Sequence, residues 1–211
     1  MTTQFVLVRH ATCAQMDEIL LGRQLDSALD AHGVEQASAL AQSFSQRPID
    51  PAIYSSPRRR TRETAAAIAA RSGADVHVHA ELDEIDFGSW AGRTFASLES
   101  DIDWRAWNTN RAEAATPGGE TIASVQQRAL ALLHAIAAAE PSHPVVIVTH
   151  SEIIRSLLFY CLDVSPNHYG RLAIDPASGS TVEFFGDTPL QGVPPSSDRF
   201  RIVTVNERLG S

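Results

Sequence analysis

The stretch FVLVRHATC, residues 5–13, decides the fold class of this 211-residue chain. Its first four side chains form an uninterrupted apolar run, which is typical of a central strand covered on both faces. An arginine, a histidine and three small residues follow at once. A buried strand that ends in this way carries Arg9 and His10 to a fixed point at the edge of a sheet.

The stretch VVIVTH, residues 145–150, repeats this pattern. It predicts a second buried strand, which leads directly into Thr149 and His150. In open α/β sheets, ligands bind in the crevice outside the carboxyl ends of the strands. We therefore expect His10 and His150 to face one common site.

Short β-branched runs alternate with alanine-rich helical patterns along the rest of the chain, which favours an α/β fold. Asp30 is placed to cap a helix whose apolar residues recur from Val34 to Phe44. Pro57 suits the first turn of a second helix. Further strands are predicted at 52–55, 76–78, 181–185 and 200–205, and further helices at 122–139 and 152–162.

The predicted architecture is a single three-layer α/β domain over residues 1–211, with a mostly parallel central sheet flanked by helices. Residues 94–116 interrupt the alternation with two tryptophans and mixed polarity. We expect a small irregular helical insertion there, and a loop at residues 189–197.

Charge and composition exclude several classes of function. The formal net charge is −8, so the surface repels nucleic acid and anionic membranes, and we expect neither as a partner. No apolar run approaches the length of a membrane span, and no signal-peptide pattern is present, which predicts a cytoplasmic protein.

Cys13 and Cys161 are too few for a disulfide framework and lack the spacing of a zinc site. Four arginines nevertheless cluster within residues 58–62, which favours binding of a small anion.

Six segments, in order along the chain, resemble the signature of the histidine phosphatase superfamily, also called the phosphoglycerate-mutase-like family. One such segment alone would be weak evidence, but six in the right order leave little room for chance. They are LVRHATC (7–13), GRQLDSALDAHGVEQA (22–37), YSSPRRRTRETA (54–65), LDEIDFGSWAG (82–92), PGGET (117–121) and VVIVTHSEIIRSLL (145–158).

The resemblance implies a phosphomonoester hydrolase that acts on a small phosphorylated metabolite through a covalent phosphohistidine. His10 matches the nucleophile of the family. An imidazole attacks phosphorus only through an unprotonated nitrogen, so its other nitrogen needs a fixed acceptor, such as a backbone carbonyl of the following turn. By the same family pattern, Arg9, Arg60 and His150 bind the phosphoryl group. Arginine suits this task because its planar fork binds phosphate oxygens and keeps its charge.

Glu84 matches the acid/base glutamate of the family, with Asp83 and Asp86 as rivals. One carboxyl group can protonate the leaving alkoxide and then activate water, and a neighbouring phosphate dianion raises its pKa towards the working range. We expect no metal or other cofactor, because the two arginines replace the cation that other phosphatases use. Arg23 and Ser151 are further candidates for substrate binding.

The sequence departs from the family pattern close to the predicted site. Ala11 stands where glycine is usual, and alanine would be strained there by about 1–2 kcal/mol if that position needed a positive φ. Cys13 replaces a serine or threonine, and Met16 replaces an asparagine. Ser151 and Glu152 replace a pair of glycines, and an acid at Glu152 weakens anion binding unless it points away or pairs with an arginine. These changes indicate either a divergent substrate or reduced activity.

Two alternatives stay open at this point. A phosphoglycerate mutase would return the phosphoryl group to a bound intermediate, although residues 85–116 form a shorter segment than we associate with mutases. A degenerate member would bind a phosphorylated ligand or protein without turnover. The sequence names no substrate and leaves the oligomeric state open, with a homodimer among the options.

Overall fold

The computed structural model describes residues 2–46, 51–139, 143–186 and 199–209. These residues contain one six-stranded sheet in the order β3-β2-β4-β1-β5-β6. The strands are β1 (Thr3–Arg9), β2 (Ala52–Ser55), β3 (Val76–Val78), β4 (Val145–Thr149), β5 (Ser178–Phe184) and β6 (Phe200–Arg208). Strands β1 to β4 pair in parallel, while β5 and β6 join as antiparallel strands at one side. The predicted mostly parallel sheet is confirmed, and the loop predicted at residues 189–197 lies outside the described residues.

Six α-helices accompany the sheet in the described residues. They are α1 (Ala31–Ser45), α2 (Arg59–Ser72), α3 (Phe95–Glu99), α4 (Ile102–Thr109), α5 (Ile122–Ala139) and α6 (Ser151–Leu162). The short helices α3 and α4 form the irregular insertion predicted near residues 94–116. Helix α5 is long and apolar enough to meet the criteria for a membrane span, but seven of its side chains are buried within the fold.

The three layers follow from the alternation of side chains along β1. Phe5 and Leu7 belong to the core that includes residues of α5 and α6. Val6 and Val8 point the other way, into the core that includes residues of α1 and α2. Because successive side chains of a strand point to opposite faces, a continuous apolar run needs cover on both sides. Each of these buried side chains stabilises the fold by about 1.5–3 kcal/mol.

Two local predictions need correction. Helix α1 is capped by Asp30 as expected, but Val34 is 58% exposed and does not belong to the buried face of the helix, which consists of Gly33, Ala37, Leu40, Ala41 and Phe44. Pro57 lies before helix α2 rather than in its first turn. Arg58 takes the N-cap position with extended backbone angles, so the proline shapes the approach to the helix instead.

The turn that follows His10 is held by the start of α1. Thr12 donates its hydroxyl hydrogen to Asp30 Oδ1 over 2.9 Å, and the Asp30 N–H donates to the Thr12 carbonyl over 3.3 Å. Gly33 lies against the same carbonyl, and a Cβ atom at this position would come within 1.9 Å of the Thr12 oxygen. Glycine is therefore required at Gly33 for space, and this contact fixes the backbone two residues after His10.

We expect Gly33→Ala to lower the free energy of unfolding by about 1–3 kcal/mol, because the added methyl group must displace the Thr12 backbone. Without the contact to Thr12, alanine would stabilise the helix by about 1 kcal/mol over glycine. A net loss of stability would therefore result from the steric clash. Gly170→Ala is the matched control, since a Cβ there meets nothing within 4 Å. Urea denaturation of both variants measures the effect. Equal free energies of unfolding for the two variants would contradict the steric requirement for glycine at Gly33.

Candidate active site

The parallel register of the sheet brings the two strand-end histidines together. Arg9 lies opposite Thr149 in the β1–β4 pair, and the His10 N–H donates to the Thr149 carbonyl over 3.0 Å. The imidazole rings of His10 and His150 meet edge to face, with centroids 5.2 Å apart. Both rings therefore lie at one point outside the carboxyl ends of β1 and β4.

The His10 ring is buried and has a defined tautomer. Its Nδ1 lies 2.8 Å from the Ala11 carbonyl oxygen, which can only accept, so Nδ1 carries the hydrogen,. Its Nε2 accepts from Nε of Arg60 over 3.3 Å. Burial, followed by the charges of Arg60 and Arg9, holds the pKa of His10 well below its usual value. His10 is thus neutral, with an unprotonated Nε2 facing a guanidinium group.

Arg60 is almost fully buried in the first turn of α2. Its Nη2 donates to the Gly22 carbonyl over 3.0 Å and lies 3.2 Å from Nδ1 of His150. Together with the contact to His10, this places one guanidinium between the two imidazoles. Arg60 thereby orders both rings and places a fixed positive charge beside them.

Arg9 supplies a second guanidinium. Its Nη1 donates to the Ile174 carbonyl over 2.6 Å, and its Nη2 contacts Sδ of Met16 over 3.6 Å. Its Nε is buried without a hydrogen-bond partner among the described residues. Burial and then the nearby charge of Arg155 lower the pKa of Arg9. A buried N–H with no acceptor is costly, and an anion in the site would satisfy it.

His150 lies fully buried behind these groups. Its Nε2 is 2.8 Å from Oγ of Ser56, and its Nδ1 is 3.7 Å from Oε2 of Glu84. Burial and then the charge of Arg60 hold the pKa of His150 well below its usual value. His150 is therefore neutral without a ligand, and a bound phosphate dianion would raise its pKa.

Of the three candidate acids, only Glu84 lines the central cavity. Burial, and then the negative charge of Glu152, raise the pKa of Glu84 to about 7. Asp83 instead forms an ion pair with Arg58 over 2.9 Å. Asp86 accepts from the N–H of Gly88 over 2.9 Å. The geometry therefore favours Glu84 over both rivals.

The cavity in front of these groups has a volume of about 360 Å³. Ser151, the first residue of α6, lines it, so the N-terminus of this helix faces the cavity, as in many anion sites,. Arg23, which the sequence suggested as a substrate contact, does not line it. Its Nε donates to the Glu84 carbonyl and its Nη2 to Oε2 of Glu120, each over 2.6 Å. Arg23 thus positions the backbone of Glu84.

The departures from the family pattern have local explanations. Ala11 has no positive φ, so alanine causes no strain, and its N–H donates to Oγ1 of Thr64 over 3.1 Å. Cys13 is buried away from the cavity, and burial raises the pKa of its thiol to about 11.

Two further departures line the cavity. Met16 lies beside Arg9. Glu152 pairs with Arg111 over 2.8 Å, which is the arrangement that tolerates an acid near an anion site.

Sequence reasoning missed Arg111, Asn108 and Tyr169, which also line the cavity. Arg111 and Asn108 belong to the insertion, and Tyr169 to the 3-10 turn Pro166–Arg171. These segments are irregular, so no periodic pattern indicated which of their side chains face inward. Among the described residues, no group of three or more histidine, cysteine or acidic side chains is arranged to hold a metal ion.

The low pKa values of the two histidines lead to a spectroscopic prediction. We expect both rings to stay neutral at pH 6.5, the ordinary histidine pKa, and His150 to gain a proton when inorganic phosphate binds. Nitrogen-15 NMR of labelled imidazoles measures both states, with His10→Ala and His150→Ala assigning the signals. A titration midpoint at or above pH 6.5 without phosphate would contradict the electrostatic argument.

Comparison with known proteins identifies similar sequences and structures. Residues 5–191 match the family model described as histidine phosphatase superfamily (branch 1). The chain is 32% identical to phosphoserine phosphatase 1 of Hydrogenobacter thermophilus over 184 residues, covering 85% of each protein. It is 31% identical to a glucosyl-3-phosphoglycerate phosphatase of Mycolicibacterium vanbaalenii over 201 residues, covering 90% of this chain and 88% of that protein.

Solved structures show the same likeness. The native structure of a mycobacterial glucosyl-3-phosphoglycerate phosphatase superimposes with a TM-score of 0.83 at 28% identity, covering 98% of this chain and 100% of the other. The family match spans most of the sequence, and the fold agrees over nearly its whole length. The chain therefore belongs to the histidine phosphatase superfamily.

Proposed function

We propose that this protein is a phosphomonoesterase that forms a covalent phosphohistidine on His10 and acts on a small phosphorylated metabolite. The observation that carries the proposal is the neutral His10 ring, whose Nδ1–H is fixed on the Ala11 carbonyl while Nε2 faces Arg60. A buried nucleophile beside two guanidinium groups suits attack on a phosphoryl dianion. The phosphatase activities of the relatives support hydrolysis rather than mutase chemistry.

In the first step, Nε2 of His10 attacks phosphorus, and the bond between phosphorus and the ester oxygen breaks. Phosphate oxygens replace His10 as acceptors for Arg60 and satisfy the free Nε–H of Arg9. Glu84 gives its proton to the leaving alkoxide. With a pKa of about 7, Glu84 retains that proton at neutral pH in a substantial fraction of molecules.

In the second step, water attacks the phosphohistidine, and the Glu84 carboxylate takes one of its protons. The bond between phosphorus and nitrogen breaks, and its electron pair returns to Nε2 of His10. Inorganic phosphate leaves, so both the nucleophile and the acid are restored. One carboxyl group serves both steps because it lines the cavity beside the reacting atoms.

The protein's acidic charge supports a small-molecule substrate rather than nucleic acid or a membrane surface,. A cytoplasmic location completes the proposal, and the sequence leaves the oligomeric state open, with a homodimer among the options. Each of these can be tested by fractionation and light scattering, independently of catalysis.

Hydrolysis of p-nitrophenyl phosphate in EDTA tests the proposed function. We expect His10→Ala to lower kcat at least about 1,000-fold, because the covalent route is lost. His77→Ala is the control, since this histidine lies on β3 outside the cavity. A phosphorylated, acid-labile form of the wild-type protein should be trapped with labelled substrate. Equal activity of the two variants would exclude His10 as nucleophile.

Glu84→Gln separates the two chemical steps. The p-nitrophenolate group leaves without a proton, so we expect a burst of about one product molecule per enzyme, followed by slow turnover. Alkyl phosphates need the acid, and their kcat/KM should fall about 100-fold or more.

The wild-type kcat/KM for an alkyl phosphate should decline above pH about 7, as the Glu84 proton is lost. This decline should be absent from Glu84→Gln. If Glu84→Gln kept the pH profile of the wild type, Glu84 would be ruled out as the acid. Asp83→Asn serves as the matched control for removal of a neighbouring carboxylate that does not line the cavity.

A further inference from the structure

The loop that follows β1 brings a sulfur atom to the wall of the cavity. Residues 14–18 form a tight turn between isolated β-bridges at Cys13 and Ile19. Gln15 takes a positive φ of 64°, and the N–H of Met16 donates to the Cys13 carbonyl over 3.3 Å. The side chain of Met16 is partly exposed and lines the cavity. Small molecules that enter the cavity therefore reach this sulfur.

Met16 lies against one of the two guanidinium groups of the proposed phosphoryl site. Its Sδ is 3.6 Å from Nη2 of Arg9, and a thioether sulfur is only a weak acceptor,. Nη1 of Arg9 donates to the Ile174 carbonyl, while its Nε is buried without a hydrogen-bond partner among the described residues. Arg9 therefore keeps N–H donors that a stronger acceptor can take.

Met16 differs from the two cysteines in how it reacts with peroxides. Peroxides oxidise cysteine in its thiolate form. Burial raises the pKa of Cys13 to about 11 and the pKa of Cys161 to about 12, so both remain thiols at neutral pH. A thioether reacts through a lone pair of sulfur and loses no proton beforehand. Among the described residues, Met16 is thus the sulfur most open to oxidation.

We propose that Met16 is an oxidation site through which hydroperoxides lower the affinity of the protein for phosphoryl groups. A lone pair of Sδ attacks one oxygen of the hydroperoxide, an S–O bond forms and the O–O bond breaks. The departing hydroxide or alkoxide takes the proton from the oxygen now bound to sulfur, which leaves methionine sulfoxide and water or an alcohol. The sulfur is oxidised by two electrons and the peroxide is reduced by two. A methionine sulfoxide reductase reverses the change.

The sulfoxide changes the hydrogen bonds that Arg9 can make. Its oxygen is polar and is bound to a sulfur already in contact with Nη2 of Arg9,. This oxygen competes with phosphoryl oxygens for the donors of Arg9. The hydrogen bonds of Arg60 do not involve Met16. Oxidation therefore weakens phosphate binding but leaves His10 and the second guanidinium in place.

Treatment with hydrogen peroxide tests the proposal. Peptide mass spectrometry should show one added oxygen on Met16. The Kd for inorganic phosphate, measured by calorimetry, should rise about 10-fold, the effect of losing one hydrogen bond to a charged group. Methionine sulfoxide reductase with a dithiol should restore the original Kd. An unchanged Kd in protein fully oxidised at Met16 would overturn the inference.

Met16→Leu keeps an apolar side chain but has no sulfur. Its Kd for phosphate should not change on peroxide treatment, whatever its value beforehand. Cys161→Ala is the matched control, because Cys161 does not line the cavity, and its Kd should rise as in the wild type. The mass spectra distinguish Met16 from Met1, the other methionine of the chain. An equal rise of Kd in Met16→Leu would assign the effect to another residue and overturn the inference.

Bound phosphate should protect Met16, because it occupies the cavity and the donors of Arg9. The rate at which Met16 gains oxygen should be lower in saturating phosphate than in sodium chloride of equal ionic strength. Equal rates would show that Met16 does not adjoin the bound anion, contrary to the proposal.

Hydrolysis of p-nitrophenyl phosphate gives a separate measurement. We expect oxidation of Met16 to lower kcat/KM about 10-fold or more, because Arg9 loses part of its contact with the phosphoryl group. Unchanged kcat/KM after complete oxidation would overturn the inference. The inference concerns binding and goes beyond the proposed hydrolysis. If the untreated protein hydrolysed nothing, the proposed function would fail, while the phosphate Kd of oxidised and untreated protein would still decide the role of Met16.

Discussion

The rest of the site depends on one buried cation, the guanidinium of Arg60 between the rings of His10 and His150. A charge in this position is tolerable because backbone carbonyls and two neutral imidazoles accept its hydrogen bonds,. It favours the neutral form of both rings and aims a positive charge at the place where a phosphoryl group would sit. This one side chain thus contributes both to the orientation of the two imidazoles and to the positive charge beside them.

The sheet makes this arrangement possible. Parallel strands end at the same edge, so β1 and β4 deliver His10 and His150 from positions that are 140 residues apart in the chain. The turn after His10 cannot shift freely, because the start of α1 bonds to Thr12 through Asp30 and packs on it through Gly33. The Ala11 carbonyl that fixes the His10 tautomer lies in the same turn.

The electrostatics of the cavity oppose those of the surface. The chain is acidic, yet four arginines and two glutamates line the cavity, and the two carboxyl groups have different partners. Glu84 is buried and shares its surroundings with Glu152, so it holds a proton near neutral pH. Glu152 is paired with Arg111, and its negative charge contributes to the raised pKa of Glu84. The four arginines that line the cavity favour a negatively charged ligand there,.

The sequence by itself determined the buried strands, the helices, the α/β class and the family, because these depend on local periodicity and on six ordered motifs. It also indicated His10, Arg60 and Glu84 as chemical candidates. Only the tertiary structure turned Arg23 away from the cavity and brought Arg111 into it. The physical reason is that the direction of a side chain, its partners and its desolvation arise from contacts between segments distant in the chain, and the irregular insertion has no repeating pattern from which such contacts can be read.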